Sequence, residues 1–386
     1  MKSDLTILKT SSGLAADVRG MIEQARGQVA RIVNAGMTLL FWRVGKRIQI
    51  EILGNQRAEY GKEILATLSQ ELSREYGSGF SYSALTRMVR FVETFPDSEI
   101  VATLSQQLGW SHFREIISLK TDLQRDFYAE MCRLENWSVR TLRAKIDSML
   151  FERTAISKKP KEVARAELDS LREKDTLTPD LIFRDPYILN FLGLKDRYLE
   201  KDLEDSILRE MEAFLLELGD GFAFLARQKR IQIGSDDFHL DLLFFHRRLK
   251  RLIAIDLKLG DFKAEFKGQM ELYLRWLAKN EQQPGEKPPL GIILCAGKKQ
   301  EQIELLEVGK SGIHVAEYLT ALPPRNLLQE KLHAAIEISR ERLKTKEVEE
   351  PAVVRKSRIT QKKTPNRKGV AKGHKGRATR YMPKKP

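Results

Sequence analysis

The residues best suited to chemistry are two aspartates and a lysine in the most apolar stretch of the chain. Residues 238–260 read FHLDLLFFHRRLKRLIAIDLKLG, with Asp241 in a first apolar run and Asp256 and Lys258 in a second. Each run is too short for a stable buried helix, and the polar break between them is typical of a turn, so a β-hairpin is predicted. Such a hairpin would bring together carboxylates that are distant in the sequence.

The register of the hairpin decides which side chains meet. A turn symmetric about the Arg248–Leu249 bond opposes His246 with Arg251, Phe244 with Ile253, and Asp241 with Asp256. Directly opposed residues have Cβ atoms roughly 5 Å apart, and like charges there are destabilising. A divalent cation with hard oxygen ligands would offset the repulsion, and Lys258, which shares a face with Asp256, would add positive charge.

The spacing of these residues resembles a known motif. An aspartate followed fifteen residues later by Asp-X-Lys, at the end of an Ile-rich strand, is similar to the motif of the PD-(D/E)XK nucleases. The flanking runs FLLELGDGFAFLARQKRIQIGSDDFHLDLLFFH, GQMELYLRWL, GIILCAG and IHVAEYLTALPP resemble the YhcG-like family of these nucleases over roughly residues 203–324. The helical part before them resembles that family's N-terminal domain. Leu240 replaces the signature's proline, and Asp256 stands where this family more often has Glu.

The resemblance implies an Mg²⁺- or Mn²⁺-dependent endonuclease that hydrolyses phosphodiester bonds in nucleic acid, with DNA as the favoured substrate. Asp241, Asp256 and the backbone carbonyl of Leu257 would hold the cation, which lowers the pKa of a bound water. Lys258 would stabilise the attacking hydroxide and the developing negative charge. General-base assistance by this lysine is the alternative role.

A glutamate from the helix before the sheet is often a further metal ligand in this superfamily. Glu204 and Glu212 are the two candidates in the predicted helix over residues 202–218. For each of them, a solvated helix acid is the alternative.

Several other polar residues lie near the predicted centre. Gln228 and Gln269 stand in family-like stretches, where an amide could orient substrate or a catalytic group, and Tyr273 follows Gln269 by one helical turn. A structural polar contact is the alternative for these residues. His239 and His246 fall on opposite faces of the strand and cannot share a metal, with His239 on the Asp241 side.

The N-terminal part is predicted to be helical. Apolar residues recur at helical spacing over residues 15–53, and further helices are predicted over 61–76 and after Ser81. The helix after Ser81 carries Tyr82, Thr86, Arg87 and Arg90 opposite its apolar stripe. The pair of helices around a Gly turn resembles a helix-turn-helix, in which these four residues would contact nucleic acid. A plain helical bundle is the alternative.

The net charge of +14 is concentrated at the C-terminal end. Residues 351–386 contain 13 Lys or Arg and no Asp or Glu, which leaves 54 basic against 53 acidic residues in the rest of the chain. This tail has few large apolar residues and is predicted to be disordered. Its cations, from Arg355 to Lys385, are predicted to bind nucleic acid, and a merely solubilising extension is the alternative.

The predicted fold class is multi-domain, α and α/β. A helical bundle, helix-turn-helix-like or winged-helix-like, precedes a restriction-endonuclease-like α-β-β-β-α-β domain and the disordered basic tail. The predicted bounds are 15–155 for the helical DNA-binding domain, 156–185 for a polar linker, 186–345 for the nuclease-like domain and 346–386 for the tail.

Composition excludes several other classes. Cys132 and Cys295 cannot build a disulfide framework or a zinc cluster. No apolar run has the roughly 18 residues that a membrane span needs, and the first residues lack a signal-peptide pattern, so a cytoplasmic protein without a membrane partner is expected. The chain has no Walker loop, Rossmann fingerprint, nucleophile elbow or HExxH helix.

Two functions remain. The first is an active nuclease, and the alternative is a catalytically inactive DNA-binding or complex-forming protein that retains the nuclease fold. Intact Asp241, Asp256 and Lys258 favour the first, because an inactive copy has no reason to keep a buried pair of like charges. The sequence does not decide whether the substrate is DNA or RNA, which sites are cleaved, or whether the chain forms a homo-oligomer.

Overall fold

Helices make up the first part of the structure, as the apolar periodicity predicts. The structure is a computed structural model that describes residues 3–54, 58–194 and 198–349. In chain order the first helices are α1 (Ser3–Gly54), α2 (Ala58–Tyr76), α3 (Tyr82–Thr94), α4 (Ser98–Ser105), α5 (Trp110–Ile116), α6 (Asp122–Glu135), α7 (Val139–Asp147), α8 (Leu150–Arg153) and α9 (Lys161–Lys174). Within the described ranges no strand precedes Tyr187, so α2 and α3 form a helical pair without a wing.

The long helix α1 packs into this region only with its second half. Thr38 is fully buried, Ile48 is 5% exposed, and this half lies against α3 and α4. By contrast, every residue from 13 to 34 is exposed. Apolar spacing therefore predicts the helix correctly but does not reveal which of its turns are covered.

The polar segment 156–185 is packed into the structure, contrary to its predicted role as a linker. Ile156 and Ser157 are fully buried. Leu168 and Leu171 of α9 belong to a cluster of buried apolar residues that extends from the helices into the sheet, here called the main core. The helix α9 packs against α6. An amphipathic helix can be polar on average and still bury one apolar face, which is why composition was misleading. The domain bounds themselves stay a prediction.

The second part of the structure contains the sheet and its helices. Its elements are β1 (Tyr187–Ile188), α10 (Glu200–Arg209), α11 (Met211–Leu218), β2 (Phe222–Ile233), β3 (Asp236–His246), β4 (Arg251–Leu257), α12 (Ala264–Asn280), β5 (Leu290–Cys295), α13 (Gln300–Leu305), β6 (Ile313–Leu319) and α14 (Arg325–Glu349). The sheet order is β1-β6-β5-β4-β3-β2. The predicted α-β-β-β-α-β order is confirmed, although the single predicted helix over residues 202–218 is broken into α10 and α11.

The predicted hairpin register is also confirmed. β3 and β4 are antiparallel, with Phe244 opposite Ile253 and His246 opposite Arg251. β4 then pairs with β5 in parallel, and β5 with β6. Because the centre of the sheet is covered on both faces, the strands β4 and β5 are buried along almost their whole length.

The two faces of β4 meet different elements. Ile253, Ile255 and Leu257 belong to the main core, which includes residues of α10 and α11. Leu252 and Ala254 pack on the other face with α12. By alternation Asp256 lies on the α12 face.

Of the described residues, those up to Arg340 form one compact unit, and those from Glu341 onwards belong to a second. Among the described helices, none combines the length and the apolar character that a membrane crossing requires.

Candidate active site

The end of the β3–β4 hairpin brings Asp241, Asp256 and Lys258 together. The two aspartates continue the register after Leu242 and Ile255, which are paired. Asp241 Oδ2 accepts a hydrogen bond from the Leu257 backbone N–H at 2.8 Å. Asp256 is 2% exposed, and its Oδ2 lies 3.0 Å from Lys258 Nζ. The predicted trio is thus one cluster at the carboxyl end of β4.

Burial and a neighbouring anion make Asp256 a weak acid. Burial is the main cause that raises its pKa, to about 7, and the carboxylate of Asp241 raises it further, although Lys258 acts in the opposite direction. Burial by itself would lower the pKa of Lys258, but Asp256 and Asp241 outweigh it and the pKa of Lys258 is raised. Lys258 is therefore a stable cation in this state, which favours its predicted electrostatic role over that of a base.

Gln228 links two carboxylates. Its side-chain N–H₂ group donates to Glu204 Oε2 at 2.8 Å and to Asp241 Oδ1 at 3.1 Å. The backbone of Gln228 has a φ of 43°, in the left-handed region that side chains rarely adopt. The strand β2 is irregular just before it, between Phe224 and Ala226. Such irregularities re-aim side chains, and here the amide is aimed at the acids.

Of the two glutamates suggested by the sequence, only Glu204 reaches this cluster. Glu204 is 7% exposed, and burial raises its pKa. Glu212 lies on the exposed side of α11, and no described contact joins it to the cluster. The break between α10 and α11 at Glu210 separates the two acids, and the structure does not bring Glu212 to the cluster.

Two carboxylate oxygens of the cluster are buried without a hydrogen-bond donor. They are Asp256 Oδ2 and Glu204 Oε1. Lys258 Nζ is at ion-pair distance from the first, but not in hydrogen-bond geometry, and Arg227 Nε is 3.7 Å from the second. Buried acceptors of this kind normally have a partner.

The donor chemistry fits a hard divalent cation, because the free atoms are carboxylate oxygens. Asp241, Asp256 and Glu204 bring three carboxylates to a cluster that contains one half-buried ammonium group, that of Lys258. A dication would balance this excess of negative charge. Among the residues that the structure describes, no group of three or more His, Cys, Asp or Glu side chains is arranged to hold a metal ion. The pair of aspartates is therefore the centre of the candidate site, with Glu204 beside it.

The helix α12 closes the site from the Asp256 side. Gln269 Nε2 donates to Tyr273 Oη at 2.6 Å, and Tyr273 Oη donates to the His239 carbonyl at 3.3 Å. Tyr273 is 1% exposed, and Asp256 is among the charges that affect its pKa. The helix α12 packs on the same face of the sheet as Asp256. Gln269 contacts Tyr273, and no described hydrogen bond joins it to the aspartates.

The two histidines have no place among the carboxylates. The side chain of His239 is exposed, and its carbonyl serves as the acceptor for Tyr273. His246 is fully buried at the hairpin turn, where its Nδ1 accepts a hydrogen bond from Leu249 N at 3.1 Å. Burial lowers the pKa of His246 to about 4, so this ring is a neutral part of the turn.

Two neighbours of Lys258 were not predicted from the sequence. Glu200 Oε1 accepts from the Leu259 backbone N–H at 3.4 Å, and its charge helps to raise the pKa of Lys258. The ring centroid of Phe266 is 5.2 Å from Lys258 Nζ. Glu200 is remote in sequence and follows no motif, so no spacing signal could have found it.

The predicted nucleic-acid residues of α3 lie on its outer side. Tyr82, Thr86 and Arg90 are exposed and Arg87 is half-buried, whereas the opposite side buries Leu85, Met88, Phe91 and Val92. Arg87 donates to Ser83 Oγ at 3.2 Å, and the Thr86 hydroxyl donates to the Tyr82 carbonyl at 2.8 Å. The basic tail, Arg355 to Lys385, lies outside the described residues.

Comparison with known proteins gives matches along most of the chain. The sequence model of a family described as "YhcG PDDEXK nuclease domain" matches residues 180–333, and that of "DUF1016 N-terminal domain" matches residues 17–153. The Escherichia coli (strain K12) protein named "Putative nuclease YhcG" is 33% identical over 343 residues, which cover 81% of this chain and 91% of that protein.

Solved structures give weaker similarity. A crystal structure of a repair endonuclease from Pyrococcus abyssi is 18% identical, with a TM-score of 0.23, over 34% of this chain and 50% of that chain. The structure of an EndoMS–dsDNA2 complex is 18% identical, with a TM-score of 0.25, over 33% of this chain and 49% of that chain. The chain thus spans about half the length of these two structures.

Proposed function

Because this chain belongs to the YhcG family of PD-(D/E)XK nucleases, we propose that it is a metal-dependent nuclease that hydrolyses phosphodiester bonds, with DNA as substrate. One observation carries this proposal. Asp241 and Asp256 are held together in a buried site where Asp256 Oδ2 has no hydrogen-bond donor. An unligated pair of this kind costs stability, so its retention supports a function that needs the charge.

Mg²⁺ or Mn²⁺ would be held by Asp241 and Asp256, with the backbone carbonyl of Leu257 and with Glu204 as a further ligand. When bound, such a cation polarises the scissile phosphate and lowers the pKa of a bound water. The amide of Gln228 keeps Asp241 and Glu204 oriented, because it donates one hydrogen bond to each.

Lys258 places a positive charge beside the aspartates. Its side chain is 14% exposed and its ammonium group is paired with Asp256, so the charge is positioned before substrate arrives. A preorganised cation stabilises the negative charge that develops on the attacked phosphate. Tyr273 and Phe266 form part of the wall around it and limit the access of bulk water.

Substrate binding is assigned to two basic surfaces. The exposed residues of α3 could lie along the phosphate backbone, with Arg87 and Arg90 as the cations, and the tail adds 13 further Lys or Arg. The remainder of the chain is nearly neutral, so the tail should dominate the salt dependence of binding.

A cleavage assay tests the proposed reaction. The purified full chain is incubated with plasmid, single-stranded DNA, branched DNA and RNA, in Mg²⁺, in Mn²⁺ and in excess chelator. We expect cleavage of DNA that requires the metal and that Asp241→Asn removes. Asp236→Asn, at an exposed position of the same strand, is the matched control and should retain activity. A wild-type chain that binds DNA but cleaves none of the substrates in either metal would favour the inactive binding protein.

A variant that ends at Glu350 tests the role of the tail. If a third of its 13 cations contact phosphate, the slope of log K against log salt should fall by about three to four units, since each contact contributes about 0.9. Turnover at saturating substrate should be similar to that of the full chain. Equal slopes for both proteins would assign binding to the folded part, with α3 as the next surface to alter.

A further inference from the structure

The N-terminal half of α1 presents an apolar stripe that no described element covers. All residues from 13 to 34 are exposed. Nine large apolar side chains of this half and the following turns are 40–72% exposed: Leu14, Val18, Met21, Ile22, Val29, Ile32, Val33, Met37 and Leu40. A contiguous exposed apolar patch of this extent marks an interaction surface.

The stripe follows the heptad rule of helix pairs. Val18, Ala25, Ile32 and Leu39 recur every seven residues, and Ala15, Ile22, Val29 and Gly36 form a second set with the same period. Two such sets, separated alternately by three and four residues, form the seam of a coiled coil. Leu39 packs against the core of its own chain. The exposed part of the pattern, from Ala15 to Gly36, spans three heptads, which is the length that indicates a coiled coil rather than a short surface helix.

The area of the stripe is sufficient for a stable helix pair. Burial of a Val, Leu, Ile or Met side chain removes on the order of 60–120 Å² of apolar surface, so the nine half-exposed side chains offer about 300–600 Å² per copy. Apolar atoms make up about 65% of homodimer interfaces. Two copies would therefore bury about 900–1,800 Å² in total, and specific interfaces bury about 1,200–2,000 Å².

The charges of this half of α1 favour a protein partner over a membrane surface. Arg19, Arg26 and Arg31 are largely offset by Asp17 and Glu23, which leaves a net charge of +1, and all five lie beside or opposite the stripe. Arg26 forms an ion pair with Glu23 at 3.2 Å on the outer side. Helices that lie on anionic lipid have a strongly basic polar face, which this helix lacks.

We propose that the α1 stripe is the interface between two copies of this chain, which associate as a coiled coil. The same stripe on both copies is self-complementary, as a two-fold symmetric interface requires. Most of the stability of a helix in a protein comes from the packing of its apolar face, and a second copy supplies the apolar contacts that this half of α1 lacks.

Sedimentation velocity on the full chain tests this interface. At about 10 μM the wild type should sediment at twice the chain mass of 44.4 kDa. The variant Val29→Lys/Ile32→Lys places charges in the seam at exposed positions and should raise the dissociation constant by at least about 100-fold. Gln24→Lys/Gly27→Lys adds the same charge on the opposite side of the helix and should remain dimeric.

Circular dichroism of each variant checks that the folded body is unchanged. A monomeric wild type at this concentration contradicts the proposal, and so does a seam variant that dimerises as the wild type does. Binding of a monomeric wild type to phosphatidylcholine or phosphatidylserine vesicles would instead assign the stripe to lipid.

Discussion

Asp185, just before β1, and Asp256, in β4, are both buried, at 5% and 2% exposure, but the pKa values of their carboxyl groups are shifted in opposite directions. Asp185 Oδ2 accepts from Lys158 and from Lys298, and Asp185 Oδ1 accepts from the Glu317 backbone N–H at 3.0 Å. Burial would raise the pKa of Asp185, but the two lysines outweigh it and the pKa is lowered. For Asp256 the effect of burial is larger than that of Lys258, and the pKa is raised.

The two acids therefore differ in their partners rather than in their depth. Lys158 follows α8 in the helical region and Lys298 follows β5, so the ion cluster around Asp185 joins the helices to the sheet. Arg153, Glu217 and Arg184 form a second junction of this kind. Both carboxylate oxygens of Asp185 accept hydrogen bonds, and its ion pairs hold parts of the structure together. Asp256 Oδ2 has no hydrogen-bond donor and can still bind a ligand.

The largest expected effect is on catalysis. Lys258→Ala should lower the cleavage rate by about 100- to 1,000-fold, because it removes a preorganised cation beside the reacting phosphate, while DNA affinity changes little. The same substitution at Lys298 should lower stability and leave the turnover of the folded protein unchanged. Steady-state kinetics of both variants check this difference, and normal turnover in Lys258→Ala would exclude a catalytic role for that lysine.

The next largest effect is on stability. Asp185→Asn leaves Lys158 and Lys298 buried without their anion and should reduce the free energy of unfolding by about 3–5 kcal/mol. Urea denaturation monitored by circular dichroism measures it. A loss below about 1 kcal/mol would mean that the junction is held by apolar packing, and the contrast with Asp256 would then disappear.

In metal-free buffer Asp256→Asn should raise the free energy of unfolding, whereas Asp185→Asn should lower it. The folded pKa of Asp256, about 7, is above its ordinary value of 3.8. The protonated acid therefore contributes stability that is complete below about pH 4 and is lost as pH rises through about 7. At pH 8 the variant should be more stable than the wild type by roughly 1–3 kcal/mol.

Unfolding curves of both proteins between pH 4 and pH 8 check this prediction. The loss of stability caused by deprotonation of Asp256 should occur in the wild type and be absent from Asp256→Asn. The lowered pKa of Asp185 places its own loss of stability below about pH 4, so the two acids are separable. Mg²⁺ or Mn²⁺ should stabilise the wild type at pH 8 more than Asp256→Asn. Equal stabilisation of both proteins would place the cation elsewhere.

The smallest effect is expected at an exposed acid of β3, the strand that carries Asp241. Asp237 forms a bidentate pair with Arg230, at 2.8 and 3.0 Å, but both side chains are largely exposed to solvent. Exposed pairs contribute little because water screens them. Asp237→Ala should leave the urea midpoint and the cleavage rate unchanged. A measurable loss in either would show that burial is not the variable that separates these acids.

Much of the centre of the molecule was predictable because it depends on local rules. Strand alternation and a short turn were sufficient to pair Phe244 with Ile253 and to place Asp241 and Asp256 directly after the last pair, Leu242 and Ile255. The order of elements around the sheet followed from the alternation of apolar runs and amphipathic helices. The same rules failed for residues 156–185, since average polarity does not show whether one face of a helix is covered.

The chain's own sequence determined the hairpin, its register, the Asp-X-Lys motif and the concentration of positive charge in the last residues, because each depends on neighbours in the chain. Tertiary structure decided the rest. It brought Glu204 rather than Glu212 to the cluster, aimed Gln228 at two carboxylates, placed α12 beside Asp256 and gave Asp185 two lysines where Asp256 has one. Those outcomes depend on contacts between residues that are remote in sequence, and the pKa of a buried acid depends on the charges that such contacts bring near it.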